Sequence, residues 1–170
     1  MTGPGLAIKV HGMNKNDNRN KVAIERHSAD LQELVEGLFQ CCQERMHYQS
    51  ERFGLPEAEM RCLLHFHGER YLTAKGLAGR MNVAKSRVTT LVDGLLRKNL
   101  LEKSDDPEDS RVKLLKLTAD GERLVAQILE LRRLLHLKVV EEFPPEQRAQ
   151  LLNTLSQLRR AMEAVRELFV

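Results

Sequence analysis

A chain of 170 residues, 42% hydrophobic and 30% charged, is long enough for one folded domain and too apolar to stay disordered. Aromatic residues make up only 4% and Trp is absent, which disfavours a β-rich core and points to helix-on-helix packing. The net charge of +3 is too mild to demand a polyanionic partner, and no run approaches the roughly 18 apolar residues of a membrane span, so a soluble, cytoplasmic chain with no membrane role is expected.

Residues 1–20 are polar and lack a period; they are expected to form a flexible arm, with Met13 as an alternative start. From about Val22 to Arg52, Leu31, Val35, Leu38, Cys42 and Met46 recur at steps of four and three, the pattern of one face of a long helix. Gly54-Leu55-Pro56 breaks it. Pro56 suits the first position of a short helix carrying Met60, Leu63, Leu64 and Phe66 before Gly68. After an extended Tyr71-Leu72, Thr73 can cap a helix through Leu77, Ala78 and Met81, which Asn82 closes.

Residues 84–98 predict the next helix, with Val88, Leu91, Val92, Leu95 and Leu96 inward and Asn99 as its stop, because Asn tolerates the left-handed conformation. Two β-type runs, Leu100–Ser104 and Val112–Leu117, flank Asp105-Asp106-Pro107-Glu108-Asp109-Ser110-Arg111 and read as a hairpin with a long loop, a wing. Thr118 then caps a helix of some 25 residues with the stripe Leu124, Ile128, Leu131, Leu135 and Val139. Beyond Phe143-Pro144-Pro145, a last helix over about 145–168 repeats Leu151, Leu155, Leu158, Met162, Val165 and Phe169 at steps of four and three. Such a heptad stripe seeks a partner helix.

Two short helices joined by Met81-Asn82-Val83-Ala84 make a helix-turn-helix, a motif whose second helix enters the DNA major groove. Residues 73–118 carry ten Lys or Arg against six Asp or Glu, so the positive charge is concentrated there. The expected DNA-contacting set is Thr73, Lys75, Lys85, Ser86, Arg87, Thr89, Thr90, Arg97, Asp109, Arg111 and Lys113. Lysines would neutralise phosphate, hydroxyls would bond phosphates or base edges, and Arg87 could address guanine O6 and N7 with two parallel bonds. Arg111, oriented by Asp109, would reach a narrow minor groove.

With these residues in view, the sequence resembles the MarR family of transcriptional regulators. The resemblance covers roughly residues 28–168 and rests on LTAKGLAGRMNVAKSRVTTLVDGLLRKNLLEK at 72–103, on DPEDSRVKLLKLTADG at 106–121 and on the long helices either side. Its most specific element is the Asp-x-Arg wing followed by hydrophobic-Thr-x-x-Gly. Many members have Gly where this chain has Asn99.

The resemblance implies a mainly α fold with a small β-hairpin wing, made of a winged helix-turn-helix lobe over about 56–118 within a single domain, 21–170. Long terminal helices over about 21–52 and 119–170 would form the dimerisation region. It implies a homodimer on a pseudo-palindromic double-stranded DNA operator, acting as a repressor that a small-molecule effector releases. An effector pocket between the first two helices and the fifth has Met46, His47, Tyr48, Arg61, His65 and Phe66 as candidate lining.

Other readings of the same scaffold are a cysteine redox switch through Cys41, Cys42 or Cys62, a metal-responsive regulator, and an interaction module without DNA binding. An odd count of cysteines, two of them adjacent, is no disulfide framework. His65-x-His67 on a helix would point its rings about 200° apart, which is poor geometry for one ion. No nucleophile elbow, phosphate-cradling glycine loop, HExxH or paired CxxC is present, so neither an enzyme, a cofactor nor a metal site is expected.

Overall fold

In a computed structural model the described residues are 15–109 and 111–168. Among them run α1 (Lys15–Phe53), α2 (Glu57–Leu64), β1 (Leu72–Thr73), α3 (Ala74–Met81), α4 (Lys85–Arg97), β2 (Leu101–Asp105), β3 (Lys113–Leu117), α5 (Ala119–Glu141) and α6 (Pro145–Glu167). No helix among these residues is long and apolar enough to cross a membrane. The chain divides into two compact units, one up to Tyr48 and the other from Gln49 onward.

The first unit holds most of α1. That helix begins at Lys15, so residues 15–20, read from the sequence as arm, are helical; the rest of the expected arm, 1–14, lies outside the described residues. Each residue added to an existing helix gains one hydrogen bond, which lets α1 extend past the end of its apolar pattern. Leu31 and Leu38 of the stripe are exposed, and Val35 and Met46 are half-buried.

The second unit is built around a core of Leu55, Met60, Leu63, Phe66, Leu77, Val88, Leu95, Leu101, Leu115, Val125 and Ile128, all nearly fully buried. Each such side chain contributes about 1.5–3 kcal/mol of transfer free energy. The inward face expected for α4 is observed, with Val88, Leu91, Val92 and Leu95 buried and Leu96 half-buried. On α5 the buried positions are Gly121, Val125 and Ile128. Of the expected stripe there, Leu124, Leu131 and Leu135 are half-buried and Val139 is exposed. Gln49 is the buried polar exception, and its Oε1 accepts from Arg132 Nε at 3.1 Å.

The sheet is antiparallel with order β1-β3-β2. The expected hairpin forms with Leu101 opposite Leu117 and Asp105 opposite Lys113, and β1 adds a third strand by pairing Leu72 with Leu115. Pro56 caps α2 rather than opening it. Asn82 and Asn99 adopt φ of 52° and 55°. After α4, the Asn99 amide donates to the Leu96 carbonyl and the Leu100 amide to the Leu95 carbonyl, both at 3.0 Å, the double bond of a Schellman stop. The same pair of bonds follows α3, from Asn82 to Gly79 and from Val83 to Ala78. Both helices of the pair thus end on an Asn.

Candidate nucleic-acid interface

Thr73, the last residue of β1, caps α3 by accepting from the Gly76 amide at 3.1 Å. The stop at Asn82 then turns the chain into α4, whose apolar residues anchor on the core. The polar face is left outward: Lys85, Ser86, Arg87, Thr89, Thr90 and Arg97 are all exposed. No hydrogen bond or ion pair engages the charged ends of Lys85, Arg87 or Arg97 among the described residues. Thr89 and Thr90 donate their hydroxyl protons to the carbonyls of Lys85 and Ser86 at 3.1 and 3.3 Å. Their outward lone pairs are therefore poised as acceptors, and donating to a phosphate requires a hydroxyl rotation.

Between α3, α4 and the wing lies a cleft of about 500 Å³. It brings together Thr73, Lys75, Lys85, Thr89, Arg111 and Lys113 from the expected set. It adds Lys103 and Asp93, which the sequence reading missed. Lys103 was legible in principle: side chains alternate along a strand, so with Leu101 buried, Lys103 shares its face. Among the described residues, five cations and one carboxylate line the cleft, over an apolar floor that includes Val92, Leu96 and Leu115. Ser86, Arg87, Thr90 and Arg97 are not among the residues that line this cleft.

In the wing, Asp109 acts on the backbone of Arg111. Its Oδ1 accepts from the backbone N–H of Arg111 at 3.0 Å, and the Asp109 carbonyl accepts from Val112 at 2.9 Å. Asp106 accepts from the Glu108 amide at 2.9 Å. These side-chain-to-backbone bonds shape the turn, so Asp109 aims Arg111 through the main chain rather than by pairing with its guanidinium. Lys113 pairs with Asp105 on the neighbouring strand.

The wing is tied to α4 at its base. Thr118 donates its hydroxyl to the Asn99 carbonyl at 2.6 Å and accepts from the Gly121 amide at 3.0 Å, while its own amide donates to the Leu100 carbonyl at 3.2 Å. Asn99 in turn donates to Asp120 at 3.3 Å. The Thr-x-x-Gly motif is thus a knot joining the end of α4, the start of β2, the end of β3 and the start of α5.

The family model for the MarR family matches residues 55–113, which span α2, α3, α4 and the wing up to Lys113. The HTH-type transcriptional repressor MdtR of Bacillus subtilis (strain 168) is 28% identical over 135 residues, covering 79% of this chain and 87% of that one. A MarR family protein from Bacillus stearothermophilus superposes with a TM-score of 0.72 at 25% identity, covering 82% of this chain and 97% of that one. Over residues 55–113 this chain is similar to the MarR family. The fold is shared more widely: a mutant of S. aureus MepR bound to an oligodeoxyribonucleotide superposes with a TM-score of 0.60 at 20% identity, covering 78% of this chain and 97% of that one.

The remaining candidates fall in both units. Met46, His47 and Tyr48 lie on α1 in the first unit. In the second, Arg61 is exposed on α2, and His65 and His67 follow the end of that helix instead of continuing it. Phe66, expected to line an effector pocket, is 1% exposed and packs in the core, and it also lines a cavity of about 240 Å³ together with Leu117 and the α5 residues Glu122, Val125 and Leu129. Among the described residues, no three His, Cys, Asp or Glu side chains group as metal ligands.

Cys41 and Cys42 are exposed, whereas Cys62 is buried. Burial, with a smaller push from the nearby Glu59 carboxylate, raises the Cys62 thiol to about 12. At pH 8 that leaves about one thiolate in ten thousand, so Cys62 is expected to resist a thiol reagent in the native protein and to react once urea unfolds it. Equal labelling of Cys62 before and after unfolding would contradict the buried placement.

Proposed function

We propose that this protein is a sequence-specific, double-stranded-DNA-binding transcriptional regulator that works as a homodimeric repressor released by a small-molecule effector. The cationic cleft beside an exposed reading helix carries the proposal. A helix in the major groove and a wing in the adjacent minor groove straddle the sugar–phosphate strand that separates them. The cleft's five cations and its Thr73 and Thr89 hydroxyls stand where that strand would pass. Arg87, Ser86 and Thr90, which do not line the cleft, would meet base edges, while Arg111 would enter the minor groove.

Repression is what the name of MdtR states for that relative. The homodimer is supported by apolar side chains that stay exposed on the terminal helices, among them Leu31, Leu38, Leu155, Met162 and Val165. In the heptad of α6, Leu151 and Leu158 are half-buried and Phe169 lies outside the described residues. Two-fold symmetry would present two reading helices to successive major grooves, and an effector would act only through its different affinity for the DNA-competent and DNA-incompetent arrangements.

The test is enrichment of duplexes from a random pool by the full chain. A two-fold-symmetric pair of half-sites, centred about 34 Å or one helical turn apart, is the expected outcome. Recovery of sequences no different from the starting pool would overturn the regulator assignment.

A further inference from the structure

Asp93 has no place in the scheme above. It lies eight residues after Lys85 and four after Thr89, so the three share one face of α4, and all three line the cleft. It is exposed, and it is the one carboxylate among the described residues that line the cleft, beside Lys75, Lys85, Lys103, Arg111 and Lys113. Despite that company, no ion pair or hydrogen bond engages its carboxylate among the described residues. It therefore serves neither to hold the wing against α4 nor to cap a turn.

From this we infer that Asp93 is a register-selecting residue, a fixed negative charge inside the track that the sugar–phosphate strand occupies. The inference rests on the DNA-binding reading of the cleft. A track lined only by cations attracts phosphates at any position along the duplex, because that attraction carries no sequence information. A carboxylate in the track breaks this uniformity. When a phosphate stands opposite Asp93 the like charges repel, and when phosphates stand opposite the flanking cations they do not. Base contacts from Arg87 hold the cognate duplex in one register, whereas a non-cognate duplex samples every register and meets the repulsion in many of them. Asp93 would thus weaken non-cognate binding more than cognate binding.

The test compares the full chain with Asp93→Asn on two probes, the duplex enriched by the wild-type protein and a shuffled duplex of equal composition. Asp93→Asn is expected to tighten binding to the shuffled duplex roughly two- to fivefold, the scale of one exposed charge interaction, with a smaller change on the enriched duplex. The ratio of the two affinities should fall accordingly. Asp93→Glu, which keeps the charge, should keep the ratio, and Asp93→Ser provides a second neutral side chain should the amide perturb folding. A purely structural role would weaken both probes together. Equal gains on both, or a loss on both with the unfolding midpoint unchanged, would overturn the inference for Asp93 alone. Failure of the wild-type chain to enrich any sequence would overturn the DNA-binding reading, and the register role with it.

Discussion

Arg87→Ala is expected to weaken binding to the enriched duplex by roughly 5- to 150-fold, the equivalent of losing a bidentate guanine contact of about 1–3 kcal/mol. Selection should relax at one base position in each half-site while remaining intact elsewhere. Arg87 is exposed and has no partner among the described residues, so truncating it should move stability by no more than about 0.5 kcal/mol. Loss of binding without loss of fold is the signature.

Lys75→Ala should behave differently. If Lys75 meets a phosphate, its removal should lower affinity for all sequences alike and reduce the slope of log affinity against log salt by about one. Measuring both variants across a salt series separates a base-reading residue from a charge. An Arg87→Ala protein that enriches the wild-type consensus with wild-type affinity would remove Arg87 from the base-reading set.

Gly121→Ala is expected to destabilise the lobe by about 1–3 kcal/mol, the usual cost of overpacking a close contact. For a chain of this size that corresponds to a fall of roughly 3–10 °C in the unfolding midpoint. A Cβ at Gly121 would run into the carbonyl oxygen of Leu100 and lie 3.1 Å from Leu117 Cδ2. The first of these is backbone, and that oxygen already accepts the Thr118 amide, so it cannot yield without loosening the knot at the base of the wing.

Gly79→Ala supplies the control. Nothing lies within 4 Å of a Cβ there, and an exposed helical Gly→Ala change stabilises by roughly 0.5–1 kcal/mol. Opposite signs at two helical glycines would show that the effect at Gly121 is steric. A Gly121→Ala midpoint equal to wild type would mean that α5 does not approach Leu100 as closely as described.

Much of the architecture was legible because local physics carried it. Thr73 and Thr118 cap helices through their own hydroxyls, and Asn99 ends α4 by taking a backbone conformation that few side chains tolerate. The inner face of α4 followed from period 3.6 alone, and the Asp/Pro-rich loop between two β-type runs was enough to place a hairpin. The outward cations of α4 were readable for the same reason, since whatever faces away from Val88, Leu91 and Leu95 faces solvent.

What distance along the chain conceals, only the tertiary structure decided. Periodicity pointed to the stripe Leu124, Ile128, Leu131, Leu135 and Val139 on α5, whereas the residues buried there are Gly121, Val125 and Ile128, a choice made by the lobe that packs against the start of the helix. The spacing of Asp109 and Arg111 fits a side-chain pair and a turn equally well; the hydrogen bond to the backbone N–H selected the turn. Lys103 and Asp93 belong to different elements, and they became part of one cleft when the knot at Thr118 closed β2 against α4. Sequence determines which groups are polar and which face of an element each occupies. Which polar groups from different elements share a cleft depends on long-range packing, because close contact between backbones, as at Gly121 and Leu100, sets their separation.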